Sequence, residues 1–212
     1  MSPAAEDVPA AGAAARPRGS YAKGIARRQE ILDRAIEVFA QRGGSRTSLR
    51  AIAQEVGVTH AALTHYFGSL DELLVAVYDE SQRRADAESE PGRPDAADIS
   101  PAETMRASAA RNREIPGLVQ LYSSLVAAAL DGTRPAAHGF ITARFARLRA
   151  ELTDQVRALQ SAGALRADVD AGLVAALVIA ASDGLQTQWL LDATVDHEAA
   201  LRMLDDLLAA PA

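Results

Sequence analysis

Four histidines, one tryptophan and no cysteine limit the chemistry open to this 212-residue chain. Without a thiol there is no disulfide scaffold, cysteine nucleophile, Cys-ligated zinc or iron–sulfur cluster. His60 and His65 stand five residues apart, poor spacing for two ligands on one helical face. His197-Glu198 lacks the second histidine four residues on that a zinc-binding helix requires, and His138 stands alone at a helix start. There is no phosphate loop and no nucleophile–base pair at suggestive spacing, so no catalytic residue, metal or cofactor is expected. What does concentrate is a row of short polar and imidazole side chains: Thr59, His60, Ala61, Thr64, His65 and Tyr66. For Tyr66, a phosphate contact through its hydroxyl stands beside a half-buried packing role.

Such a row works only on a positioned helix. Leu49, Ile52, Ala53 and Val56 form the apolar stripe of a short helix, and Gly57 can take positive φ and stop it. Val58 plugs the corner, Thr59 caps the next helix, and Leu63 sits inside, leaving the polar row outward. Helix, tight turn, helix is the arrangement that presents a recognition helix to the major groove. A generic αα-hairpin within a helical bundle is the plain alternative. Upstream, Ile31, Leu32, Ala35, Val38 and Phe39 mark one face of a helix ending at Gly43-Gly44. Downstream, a third helix runs from Thr59 to Phe67, and a fourth begins after Ser69 with Leu73, Leu74, Val77 and Tyr78 inward.

Charge separates the same segment from the remainder. The chain carries −6 at pH 7, yet Arg16 to Leu70 holds nine basic residues against four acids, +5, leaving −11 elsewhere. That asymmetry suggests a part that meets phosphates joined to a part that does not, although a solvated helical face would look similar.

Residues 1–20, rich in Ala and Pro, read as a disordered arm; 21–68 form the helix-turn-helix domain and 69–212 a second helical domain. A Pro-rich loop over 90–101 precedes helices expected around 102–113, 116–131, 136–162, 170–193 and 196–209. The 136–162 stripe runs through Ile141, Phe145, Leu148, Leu152, Val156 and Leu159, with Arg147 and Glu151 as a solvated pair outside. No strand alternation or internal repeat appears, so the fold class is all-α. The longest uncharged stretch, Ile115 to Leu130, is too short and polar to span a bilayer, and no secretory signal opens the chain. A cytoplasmic protein without a membrane partner is expected.

Residues 25–78 resemble the DNA-binding domain of the TetR family of bacterial transcriptional regulators. The likeness rests on Ile31-Leu32, Ala35, Phe39, Gly43, Ser48, Ile52-Ala53, Gly57-Val58, Leu63, Phe67 and Leu73-Leu74. Residues 100–210 more loosely resemble the C-terminal class of the choline-responsive repressors, chiefly through Asp183-Gly184-Leu185-Gln186 and Trp189-Leu190-Leu191-Asp192. Two positions depart from the family habit: Thr64 replaces a common Tyr and Leu70 a common Lys, both usually near phosphate. The resemblance implies phosphate contacts from Thr47, Ser48 and Arg50, with Thr59, His60, Ala61, Thr64, His65 and Tyr66 facing bases or backbone. Ser48 as a cap lacks an acidic N3 partner, Ala51 standing there. Arg16, Arg18, Lys23, Arg27 and Arg28 either reach a flanking minor groove or simply solvate the arm.

In the C-terminal part, the apolar helix with Leu173, Val174, Leu177, Val178 and Ile179 is expected to be buried on both sides. Leu173 and Leu177, with Leu201, Leu204 and Leu208 from the last helix, then form a homodimer interface of the four-helix kind that the resemblance implies. The resemblance also implies a small-molecule inducer in the core of this part, where it would meet Met105, Tyr122, Phe145, Asp183, Gln186 and Trp189, although ordinary packing is the plainer role for each. Asp183, a carboxylate within an apolar helix, is expected to bind ligand, bond a neighbouring helix or pair with an arginine. The leading expectation is a dimeric repressor released from its double-stranded DNA operator by a ligand. A constitutive DNA-binding dimer and a helical enzyme with a vestigial DNA-binding segment stand as alternatives.

Overall fold

The computed structural model describes residues 18–42, 49–88, 99–115, 117–132 and 134–210. Among them run α1 (Arg18–Arg42), α2 (Leu49–Val56), α3 (His60–Phe67), α4 (Leu70–Glu88), α5 (Pro101–Glu114), α6 (Leu118–Leu130), α7 (Pro135–Ser161), α8 (Ala171–Leu191) and α9 (His197–Leu208). The only extended pairing among these residues is an isolated bridge between Leu165 and Ala209. The all-α expectation holds, and the periodicity placed α5 to α9 within a few residues of their observed ends.

Local chemistry explains the turns around α3. Gly57 adopts φ 72°, a left-handed conformation that ends α2 in one residue. The Thr59 hydroxyl accepts from the Ala62 amide at 3.1 Å, capping α3 as expected. Gly68 closes α3 at φ 70°, and a Cβ there would lie 2.8 Å from a Glu72 carboxylate oxygen. Ser69 then caps α4, its hydroxyl accepting from the Glu72 amide at 3.1 Å.

Two apolar cores organise the molecule. The first joins Ile31, Leu32, Ile52, Leu63 and Phe67 to Leu73, Val77 and Tyr78 of α4, then continues to Leu121, Tyr122 and Leu125 of α6 and Ile141 of α7. The apolar packing therefore runs on past Phe67 without a break. The second core gathers Met105 of α5, Leu152, Val156 and Leu159 of α7, and Val174, Val178 and Ile179 of α8. Phe145 packs against both. The α7 stripe thus spans the two cores, while Arg147 and Glu151 lie outside at 3.8 Å.

Within the single chain α8 is covered on one side, the other being the side expected to meet a partner copy. Val174, Ala175, Val178, Ile179, Ser182 and Gln186 face inward, whereas Leu173 and Leu177 are 68% and 59% exposed. By length and hydropathy α8 is also the described helix that could cross a membrane. Here it packs among α5, α6, α7 and α9 and carries Asp183 mid-length.

Candidate nucleic-acid interface and regulatory core

The outward row of α3 is built by what lies beneath it. Leu63 is fully buried and Phe67 nearly so, anchoring the helix into the first core. Thr59, His60, Ala61, Thr64 and His65 are all exposed on the other side. The Thr64 hydroxyl donates to the His60 carbonyl at 3.0 Å, so its polar valence is satisfied within the helix. His65 meets the Tyr66 ring edge-on at 5.1 Å, and Tyr66 is half-buried against the first core. Both roles weighed for Tyr66 remain compatible with that position. Thr47 and Ser48 lie outside the described residues; Arg50 falls within α2, but its side chain is not among those described.

Several supporting residues escaped sequence reasoning. Arg34 donates from α1 to the Val56 carbonyl at 2.9 Å, satisfying the C-terminal end of α2 beside Gly57. Arg28 lies over the Phe67 ring at 4.7 Å, and Arg27 pairs with Glu30 at 2.5 Å. These two arginines of the proposed arm set are therefore engaged within the chain. Leu70, where the family often has lysine, packs on the first core. Asp71, in the first turn of α4, turns inward and accepts the Ala137 amide at 2.9 Å, capping α7 from another helix. The sequence marks Asp71 only as an ordinary first-turn acid, because its partner is 66 residues away.

In the C-terminal part, two of the six suggested ligand residues are in direct contact. Tyr122 and Asp183 do meet: the phenol donates to the carboxylate at 2.9 Å, linking α6 to α8. Two unanticipated residues complete this cluster. Tyr78 stacks on Tyr122 with ring centroids 5.4 Å apart, and the Arg144 guanidinium lies 5.5 Å from the Tyr78 ring and 5.3 Å from that of Tyr122. Burial pushes the Tyr78 phenol up to about 12 and raises that of Tyr122 further. Burial likewise raises the Asp183 carboxyl above its ordinary value, against the hydrogen bond from Tyr122 and the charge of Arg144. Of the three fates weighed for Asp183, bonding a neighbouring helix is the one with a direct contact. Met105 belongs instead to the second core, Phe145 lies between cores, and Gln186 is buried on α8. Trp189 faces Arg113 of α5, 5.7 Å from the ring centroid. Arg113 also pairs with Glu198, which receives Arg106 at 3.2 Å, so an ionic network ties α5 to α9.

Of the interface set on α9, Leu201 needs correction. Leu201 is 0% exposed, and Leu204 and Leu208 pack on the second core. Their three-and-four spacing marks the face that α9 buries within its own chain. The apolar side chains left outward are Met203 and Leu207, 60% and 62% exposed.

This geometry coincides with two profile matches. Residues 31–77 match the bacterial regulatory proteins of the tetR family, and residues 103–211 match the C-terminal domain of BetI-type transcriptional repressors. The chain belongs to the TetR family. Among curated relatives, the HTH-type transcriptional regulator BetI of Brucella anthropi is 44% identical over 50 residues, covering 24% of this chain and 26% of that protein. BetI of Brucella canis is also 44% identical over 50 residues, 24% and 25% of the two chains. The match spans about a quarter of these relatives' length. Among solved structures, a putative TetR-family transcriptional regulator from Rhodococcus sp. superposes with TM-score 0.69 at 23% identity, over 86% of this chain and 98% of that one. A putative transcriptional regulator from Saccharomonospora viridis in complex with choline gives 0.65 at 20% identity, over 88% and 100%. At those identities the TetR likeness is one of fold.

Proposed function

We propose that this TetR-family chain is a dimeric repressor that reads an operator with α3 and releases it when a small molecule occupies the C-terminal part. The observation that carries the reading is the exposed row Thr59, His60, Ala61, Thr64 and His65 over a firmly buried Leu63 and Phe67. A rigid helix whose outward face is short and polar can enter the major groove, and one such helix covers only a half-site. Thr47, Ser48 and Arg50 are assigned to phosphates, with Tyr66 as a further backbone contact. Pairing of two copies through the exposed leucines of α8, joined by Met203 and Leu207 of α9, supplies the second reader. The reader is assigned to 21–68 and the ligand-binding and dimerisation part to 69–212, with a cytoplasmic location.

A route for release lies in α4. Its first turn follows α3 after one glycine–serine corner, and its Asp71 holds the start of α7, while Tyr78 further along touches Tyr122 and Arg144. A ligand that prefers one arrangement of α4 against α7 thereby prefers one placement of α3, which is the differential affinity that a population shift requires.

Selection of bound fragments from the host genome by the full chain, followed by ligand screening for their release, tests this reading. Specific fragments with two half-sites about one helical turn apart are expected. Only salt-sensitive binding without sequence preference would overturn it.

A further inference from the structure

We infer that the regulatory site takes an organic anion and refuses quaternary ammonium ions, with Arg144 setting the sign of the charge. The inference rests on the ligand-responsive reading above and names the class of ligand.

The starting observation is a contradiction inside the aromatic cluster. Tyr78 and Tyr122 are stacked, Phe140 meets Tyr78 edge-on at 5.8 Å, and Asp183 stands behind the Tyr122 hydroxyl. Aromatic faces backed by a carboxylate are the surroundings a methylated ammonium seeks. Here those faces are already occupied by a cation from the chain itself. Arg144 lies about equally far from both rings, and its Nε is closed to solvent without a hydrogen-bond partner. A second cation would meet like charge and would find these two faces taken.

The same arginine opens in the other direction. It lines a groove of about 340 Å³ between α4 and α7, together with Asp79, Gln82, Arg83, Phe140 and Arg147. Three guanidinium groups stand against one carboxylate in that lining. Arg83 is paired with Glu80, and Arg147 only loosely approaches Glu151 at 3.8 Å. A planar guanidinium held against the stacked ring pair is preorganised for two-point recognition of a carboxylate, while Phe140 offers an apolar wall to the rest of the molecule. The groove also sits on the seam between α4 and α7, so an occupant touches the pair of helices through which α3 is placed.

The test uses three probes of nearly one shape and different charge: choline, tert-butylethanol and tert-butylacetate, added to the full chain at matched ionic strength. At roughly 100 times its Kd, tert-butylacetate should raise the Tm by about 5 °C, while choline leaves it unchanged. Arg144→Met should reverse that order, because the tyrosine faces are then free. Arg144→Lys should keep the preference for the anion with affinity about tenfold weaker, since the planar fork is lost. The wild-type and Arg144→Lys chains decide the question if Arg144→Met does not fold. Choline stabilising the wild type as strongly as tert-butylacetate would overturn the anion assignment and leave ligand control standing. No response to any probe in the wild-type and variant chains would overturn the site itself.

Discussion

The two apolar cores differ in which helices their polar residues join. The first core, which holds the reader, is threaded by buried or half-buried polar groups: Asp71 on the α7 amide, Tyr122 on Asp183, and Arg144 against two tyrosines. Around the second, the Gln155 amide donates to the Ile99 carbonyl at 2.6 Å and to the Thr104 hydroxyl at 3.0 Å, Ser182 and His197 are buried, and an ionic network lies along the α5–α9 seam. Buried polar contacts have few good geometries, so they specify how helices sit and exact a penalty when disturbed. Under the proposed function, the contacts that reach from α4 and α6 to α7 and α8 serve regulation, and the exposed leucines of α8 serve assembly.

That contrast can be broken at several points. The largest effect concerns continuity of the first core. Leu63→Ala in the reader and Leu121→Ala in α6 should each destabilise by about 2–5 kcal/mol. Unfolding by urea should remain one transition by both Trp189 fluorescence and circular dichroism; two resolved transitions would separate the reader from the body. Next, Leu173→Glu with Leu177→Glu should weaken self-association by roughly 100-fold while leaving the helical content unchanged, since charges would replace an apolar contact. Sedimentation at several concentrations checks this, and an unchanged dimer would move assembly away from α8.

A smaller effect tests the helix-to-helix cap. Asp71→Asn should cost about 1–2 kcal/mol, because a charge-assisted bond to the Ala137 amide becomes a neutral one. Equal destabilisation with unaltered ligand-induced release would leave Asp71 a structural cap alone. The mildest concerns His197, which is 1% exposed with both ring nitrogens unpartnered. Burial first, and then the Arg113 guanidinium, hold its pKa below the ordinary 6.5. The unfolded chain therefore takes up a proton before the folded one does. This contribution to stability is complete above pH 6.5 and declines as the pH falls through and below that value. His197→Leu should remove that slope from denaturation curves recorded as the pH is lowered from 6.5.

Most of the helical frame was legible in the sequence because local signals carry it. Apolar steps of three and four marked the helices, Gly57 marked the corner, and Thr59 and Ser69 marked two caps that the structure reproduces. The outward placement of Thr59, His60, Ala61, Thr64 and His65 was legible for the same reason, since burying Leu63 leaves its neighbours outward on a helix this short. What escaped depends on contacts between distant segments. Asp71, Arg34 and Arg144 look like ordinary surface charges until α7, α2 and the tyrosine pair are placed against them. The α9 stripe misled in a related way: periodicity shows that a face is buried, without showing whether its own chain or a partner buries it. Leu201 answers in favour of its own chain.

The central claim is that α3 reads DNA as a firmly held helix, and Thr64→Ala combined with His65→Ala tests it most directly. Fluorescence anisotropy with a selected operator should show affinity weakened by about 10- to 100-fold, while binding to unrelated duplex and self-association stay unchanged. Operator affinity equal to that of the wild type would contradict the assignment of α3 as the reading helix.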